Sequence, residues 1–287
     1  MTKLKNFTTL LLIIGLGTTL LSCANKNKTE EKKQVRILYG NYLSDVSYAN
    51  LSKIALEKQG YEVILTNLQI GLIYGELSKE NPNGDIFMDA WLPNTHKPYW
   101  EDYGDDLVKL GESFSEGTTG LVVPSYVSIN SIEELNTHKA TLNKKIIGIG
   151  SGAGIHASTY KAIEEYDLDL AQITSSGPAM VAALERATKN LDWIVVTGWK
   201  PHLKWLEFDL KYLDDPKGVY PKDVCAIVSR RGFEEDMPEA AHFFKNFNLT
   251  EDQLYELMDL VNDKGGEAGA QIWYDANKGM VDGWHTN

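Results

Sequence analysis

The sequence predicts an α/β protein folded as two lobes with a cleft between them. Three observations lead there. The chain has 287 residues, room for two domains of ordinary size. Strand and helix patterns alternate in two separate cycles. Two apolar strands, Gly120–Pro124 and Val224–Ser229, lie between the cycles and read as crossings from one lobe to the other. On that reading lobe one is residues 35–119 with 230–287, and lobe two is residues 120–229.

The elements follow in order. Residues 1–22 read as a signal peptide: Lys3 and Lys5 form a basic n-region, and Leu10–Leu16 an apolar h-region shorter than the ~20 residues of a spanning helix. The segment ends Leu20-Leu21-Ser22-Cys23, a branched apolar residue, a small residue and a cysteine, which resembles the lipobox of bacterial lipoproteins. That resemblance implies cleavage before Cys23 and acylation of its thiol. Residues 23–34 read as the lipidated cysteine and a flexible tether, because the Lys/Glu/Asn-rich stretch has almost nothing to bury.

In the first cycle Val35–Tyr39 reads as a strand, Val46–Gln59 as a helix closed by Gly60, Tyr61–Thr66 as a strand and Leu72–Lys79 as a helix. Asp85–Ala90 is a buried strand, and a short helix follows over His96–Tyr103. Gly120–Pro124 is a strand, followed by a Ser131-x-x-Glu134 capping box. The second cycle runs through strand Ile146–Ile149, a Gly-rich turn, helices Ala157–Tyr166 and Ala179–Lys189, and strand Trp193–Thr197. Strands over Leu210–Leu213 and Val224–Ser229 come next, then three closing helices over Glu234–Asn246, Thr250–Val261 and Glu267–Asn277.

Charge and cysteine count exclude several functions. The net charge is −12, with 28 basic against 40 acidic side chains. Six lysines and two glutamates precede Val35, so the body carries 22 basic and 38 acidic groups, a net of −16. This leaves no basic face for nucleic acid. Two cysteines, Cys23 and Cys225, exclude a disulfide scaffold and a four-cysteine zinc site. Cys225 lies in an apolar strand and reads as a buried free thiol. There is no H-E-x-x-H, no G-x-S-x-G and no metal-ligand spacing, so no metal, cofactor or catalytic set is expected.

In open α/β sheets ligands sit beyond the carboxyl ends of the strands. Three aromatics follow predicted strands: Tyr42, Trp91 and Trp199. Any one of them fits ordinary packing, but three at equivalent places in both lobes suggest converging ring faces. Such faces suit a quaternary ammonium, which has no N–H to donate and is recognised by ring quadrupoles. The Gly-rich turn from Gly148 to Ile155 follows a strand and opens a helix. It admits three readings: a tight turn, a loose dinucleotide fingerprint, or free amides that bind a small carboxylate.

These segments resemble one family. Asp89-Ala90-Trp91-Leu92-Pro93-Asn94-Thr95-His96 is similar to the Trp-Leu-Pro-x-x-His segment of glycine betaine-binding proteins, the substrate-binding components of ABC importers. Gly152-Ala153-Gly154-Ile155, Val196-Thr197-Gly198-Trp199-Lys200-Pro201-His202 and Tyr212-Leu213-Asp214-Asp215-Pro216 resemble the family in the same order. The resemblance implies a type II periplasmic-binding-protein fold with the ligand in the cleft between lobes. It implies that Tyr42, Trp91 and Trp199 cage a trimethylammonium group, and that His96 and the Gly154 and Ile155 amides hold the carboxylate. His202 would support Trp199. The sequence departs from the family's usual pattern at Tyr42, where Trp is common, and at Gly150-Ser151, where Glu-Pro is common.

The expected protein is therefore a non-enzymatic, extracytoplasmic, lipid-anchored binding component. It captures glycine betaine or a related osmolyte and delivers it to an ABC permease and its ATPase. A choline- or carnitine-specific receptor is the nearest alternative. An exported enzyme using His96 or His202 as base, and an interaction protein without a small ligand, are the rivals from other classes.

Overall fold

The computed structural model describes residues 33–286. The signal peptide at 1–22, Cys23 and nearly all of the tether lie outside the described residues. Among the described residues no helix is long and apolar enough to cross a membrane.

Nine strands form one curled sheet with the spatial order β2-β1-β3-β9-β4-β7-β5-β6, and β8 pairs on the side with β4. In chain order β1 is Gln34–Tyr39, β2 Glu62–Asn67 and β3 Ile86–Leu92. β4 is Leu107–Pro124, β5 Lys145–Ile147 and β6 Ala171–Ile173. β7 is Val196–Lys200, β8 Leu210–Tyr212 and β9 Asp223–Arg230. β1, β2 and β3 are parallel, as are β5, β6 and β7, the signature of strand–helix crossovers in each lobe.

β4 joins the two halves. Its 18 residues are long enough to run through both: Leu107–Gly117 pairs antiparallel with β9, while Thr118–Val122 pairs with β7 and Val122–Pro124 with β8. The crossing strand read at Gly120–Pro124 is thus the second half of a longer strand. Its first half, Leu-Val-Lys-Leu-Gly-Glu, was not legible because bulges at Lys109/Gly111 and Glu112/Phe114 break the alternation. The other crossing strand needs correction. Asp223–Arg230 pairs with β3 and the first half of β4, so Val224–Ser229 lies in the half of the sheet that holds β1–β3 and not with residues 120–222. A strand bonded on both sides reads as a continuous apolar run wherever it lies, and the run alone does not say which sheet holds it.

Ten α-helices cover the sheet among the described residues. α1 is Leu43–Lys58, α2 Ile70–Leu77, α3 Lys97–Tyr103, α4 Gly154–Glu165 and α5 Gly177–Asn190. α6 is Lys204–Glu207, a single turn. The closing segment contains α7 Phe233–Asp236, α8 Pro238–Asn246, α9 Glu251–Lys264 and α10 Gly266–Gly283. The single helix expected over Glu234–Asn246 breaks at Met237, since Pro238 cannot continue the preceding turn. Thr250 and Gln253 form a capping box that starts α9. The Ser131/Glu134 box is also present, but it opens a 3-10 turn, not an α-helix.

α1 packs between the sheet and the α9/α10 pair, so it is buried on most of its circumference. Its polar residues are absorbed locally: Ser47 donates to the Leu43 carbonyl at 2.7 Å and Asn50 to the Val46 carbonyl at 2.7 Å. Tyr48, Phe243, Phe247 and Trp284 interlock behind it as edge-on and tilted rings. That core fixes the amino end of α1, and with it one wall of the cleft.

Candidate functional site

A cavity of about 420 Å³ opens between the carboxyl ends of the two parallel strand sets. All six residues singled out in the sequence line it: Tyr42, Trp91, His96, Gly154, Ile155 and Trp199. The two tryptophans sit slightly differently from expectation. Trp91 and Trp199 are each the penultimate residue of their strand, β3 and β7, not the residue after it. The β7 strand is displaced by three residues from the expected Trp193–Thr197. The peptide bonds that leave both strands, Leu92–Pro93 and Lys200–Pro201, are cis.

Tyr42 caps the start of α1 in extended conformation (φ −91°, ψ 148°), which turns its ring into the cavity. Its ring meets Trp199 edge-on, with centroids 6.0 Å apart and planes at 86°. Burial and the nearby Asp45 and Asp89 raise its hydroxyl's pKa, so the phenol stays neutral.

Trp91 is held by Asp89, two residues earlier on the same face of β3. The indole Nε1–H donates to Asp89 Oδ1 at 2.8 Å, and Ser44 donates to Asp89 Oδ2 at 2.7 Å. Asp45 also lines the cavity, fully buried, and neither of its carboxyl oxygens has a hydrogen-bond partner among the described residues. Burial, with Asp89 nearby, raises the Asp45 pKa well above the usual carboxylate range; Asp89 is raised by burial too. Two buried carboxyls without a basic partner thus stand beside the aromatic rings. Sequence reasoning passed over both, although Asp89 lies at i−2 on the strand face of Trp91.

His96 follows β3 through a short turn closed on both sides. Its backbone N–H donates to the Trp91 carbonyl at 2.8 Å, and the Trp91 N–H donates to His96 Nδ1 at 3.0 Å. An Nδ1 that accepts places the ring proton on Nε2. The ring's side-chain hydrogen bonds among the described residues all run through Nδ1, so the Nε2–H donor is left over in a residue that lines the cavity. The turn is pinned from below by Asp223 of β9, which accepts from Asn94 N–H at 2.6 Å, Thr95 N–H at 3.0 Å and Thr95 Oγ1 at 2.5 Å. Asp223 is a second positioning residue that the sequence did not reveal, because its partners are 128 residues away.

Burial depresses the His96 pKa to about 3, and burial with the nearby Lys204 does the same for His202. Both rings are therefore neutral at physiological pH. On unfolding each regains an ordinary pKa near 6.5, so the unfolded chain binds more protons below that value. Stability carried by these two imidazoles is complete above about pH 6.5 and is lost progressively as pH falls toward 3. The expected result is that neither ring titrates between pH 7 and pH 4 in a histidine-resolved NMR series. A midpoint near 6.5 for His96 would contradict its buried, neutral state.

On the opposite wall the Gly-rich turn starts α4 with Gly154 and Ile155 as the first two helical residues. The N-cap Ala153 offers no side-chain acceptor, and neither amide donates to a backbone carbonyl among the described residues. Gly154 is required sterically: a Cβ there would lie 2.0 Å from the Thr95 carbonyl oxygen across the cleft. A second link across the cleft runs from the Tyr99 hydroxyl to the Gly152 carbonyl at 3.2 Å. Of the three readings of this turn, the geometry favours free amides facing a polar group.

Trp199 is braced from behind. Trp205 Nε1 donates to its carbonyl at 2.8 Å, and the His202 ring meets the indole edge-on at 4.7 Å, which fits the supporting role expected for His202. Cys225 is a buried free thiol on β9. Among the described residues no group of three or more His, Cys, Asp or Glu side chains has the arrangement of a metal site.

Comparison with known proteins bears on the family and the fold. Residues 33–276 match the family model described as the substrate-binding domain of ABC-type glycine betaine transport systems. The chain is 42% identical to the glycine betaine/carnitine transport binding protein GbuC of Listeria monocytogenes over 149 residues, a match spanning 50% of this chain and 49% of that relative. Among solved structures, lactococcal OpuAC in its closed form with glycine betaine is 35% identical, with a TM-score of 0.84 over 89% of this chain and 100% of that one. The ProX glycine betaine/L-proline-binding protein of Borrelia burgdorferi is 32% identical, with a TM-score of 0.84 over 88% of this chain and 96% of that one.

Proposed function

The chain belongs to the family of substrate-binding domains of ABC-type glycine betaine transport systems, and from that premise we propose that its cavity captures glycine betaine or a close quaternary-ammonium relative for import. The observation that carries this reading is the convergence of three aromatic rings, one neutral histidine and two free helix amides on one cavity. Tyr42, Trp91 and Trp199 surround the trimethylammonium group. Each desolvated ring face contributes up to about 2 kcal/mol to a cation. The Nε2–H of His96 and the N–H groups of Gly154 and Ile155 donate to the carboxylate, as charge-assisted bonds at a helix start.

Capture proceeds by closure. Trp91 and His96 come from the β1–β3 half of the sheet and the turn after it, and Trp199, Gly154 and Ile155 from the β5–β7 half, so the ligand is fully enclosed only when the halves meet. Binding needs no bond making or breaking, and the relatives named above are transport binding proteins. The leader ending at Cys23 supports export and acylation. A lipid anchor would then hold the body near the ABC permease, whose ATPase drives uptake. Choline is the second reading, favoured by the buried Asp45 and Asp89 beside the rings, since a net cation favours their ionised form more than a zwitterion does.

Calorimetric titration of the purified protein with glycine betaine, choline and carnitine tests the proposal. Saturable heat and a tryptophan fluorescence change are expected for at least one of them, and silence from all three would defeat it. Product formation from any of them would favour an enzyme. His96→Ala is expected to weaken glycine betaine by about tenfold or more, the loss of one hydrogen bond to a charged group, with little change for choline. Equal losses for both ligands would show that His96 shapes the cleft without holding the carboxylate.

A further inference from the structure

Lys204 is the only fully buried lysine among the described residues. It opens α6, and its Nζ lies 3.9 Å from the centroid of Trp199, a distance attainable only over the ring face. Trp199 lines the cavity and Lys204 does not, so the amine sits on the face turned away from the ligand. The nearest polar acceptor is the Trp199 carbonyl at 3.5 Å, the outer limit of a hydrogen bond. No carboxylate among the described residues forms an ion pair with it.

The groups around it do not compensate a charge. His202 in the preceding turn accepts the Lys204 backbone N–H at Nδ1 and is itself neutral. Tyr255 of α9 accepts the His202 backbone N–H at 3.5 Å, and Tyr212 of β8 packs against Trp205 and donates to the Thr118 carbonyl. Glu251 of α9 faces Lys200 at 3.7 Å. Toward β4 the lysine stem packs near Gly198 and Val122, which carry no charge. Across the ring stand Tyr42, Asp45 and Asp89.

We infer that Lys204 is a specificity-determining residue: from the outer face of Trp199 its amine biases the cage against net cations and toward zwitterions. The inference rests on the proposed binding of quaternary amines. A ring quadrupole attracts a cation to either face, but two cations on opposite faces repel. A ligand nitrogen about 4–6 Å beyond the ring lies about 8–10 Å from Nζ, where a charged lysine weakens binding on the order of tenfold. The carboxylate of a betaine, about 3 Å farther away, returns most of that loss, leaving roughly a twofold effect. Burial lowers the Lys204 pKa well below the ordinary range, so the bias strengthens as pH falls and the amine gains its proton.

The test measures glycine betaine and choline affinities from pH 9 to pH 5 for the wild-type protein and for Lys204→Met, which keeps the stem volume and removes the charge. Protonation of Asp45 and Asp89 also penalises choline at low pH, but it does so in both proteins. The lysine contribution is the difference between the two profiles. The choline-to-betaine affinity ratio is expected to fall about fivefold further in the wild type than in Lys204→Met. Ratios that track each other at every pH would overturn the inference. A second readout titrates both proteins in two buffers of different ionisation heat: the excess of protons released by choline over glycine betaine should be smaller in Lys204→Met than in the wild type, and an equal excess would also overturn it. Failure of both ligands to bind the wild type would overturn the binding reading, and this inference with it. Binding with an unchanged ratio would overturn this inference alone.

Discussion

Gly154→Ala is expected to leave the fold intact and to weaken ligand binding by about 100-fold or more. The added Cβ would lie 2.0 Å from the Thr95 carbonyl oxygen and 2.5 Å from Thr95 Cγ2, against a normal contact beyond 3 Å. Thr95 cannot recede, because Asp223 holds its amide and its hydroxyl at 3.0 and 2.5 Å. Relief requires the two halves to part by about 1 Å, which draws the Gly154 and Ile155 amides away from the histidine side of the cavity. Losing two hydrogen bonds to a carboxylate at about 1.5 kcal/mol each gives the stated factor. At the first turn of α4 an alanine is at least as favourable as glycine. The melting temperature without ligand should therefore be unchanged or slightly raised. Small-angle scattering should show that ligand no longer compacts the variant. Wild-type affinity in Gly154→Ala would mean that Thr95 and Gly154 do not meet in the bound state.

Much of this site was legible in the sequence, for a physical reason. Ligand residues in open α/β sheets stand at strand ends, and strand ends are marked by a switch from β-branched runs to Pro and Gly. Trp91-Leu92-Pro93 and Trp199-Lys200-Pro201 carry that mark, so the rings could be placed to within two residues even though the β7 strand was displaced. Local polar chemistry was legible only in part: the Gly-rich turn opening a helix left three readings open, and the family resemblance singled out the Gly154 and Ile155 amides. What escaped depends on contacts between distant segments. Asp223 holds a turn 128 residues away; Lys204 is only five residues from Trp199, but its place over the ring depends on the fold of the turn into α6. β9 was assigned to the wrong half because a doubly paired strand carries no amphipathic pattern to orient it. Asp45 and Asp89 look like ordinary polar residues in sequence, and only their burial without a basic partner marks them as part of the site.

Trp91→Ala and Trp199→Ala should each weaken binding by about 1–3 kcal/mol, combining lost cation–π attraction with lost burial. The two differ in what else they disturb. Removing the Trp91 indole deprives Asp89 of the Nε1–H bond at 2.8 Å and leaves Ser44 and the weak Cys225 thiol as donors to that buried carboxyl. Trp91→Ala should therefore also lower stability, by about 1–3 kcal/mol for an under-satisfied buried acceptor, as read by urea denaturation. Trp199 uses its backbone carbonyl, not its ring nitrogen, to hold Trp205, so its replacement leaves that hydrogen bond in place but uncovers the Lys204 amine and the His202 ring packed on the indole. A ligand isostere separates the two components of the loss. In 3,3-dimethylbutanoate a carbon replaces the betaine nitrogen, which keeps the shape and the carboxylate and removes the cation. If ring quadrupoles hold the ligand, this isostere should bind wild type much more weakly than glycine betaine, and its residual affinity should respond to the tryptophan variants through burial alone. Equal binding of the two compounds to the wild type would show that the rings enclose a shape and not a charge. Unchanged glycine betaine affinity in both tryptophan variants would place the ligand elsewhere.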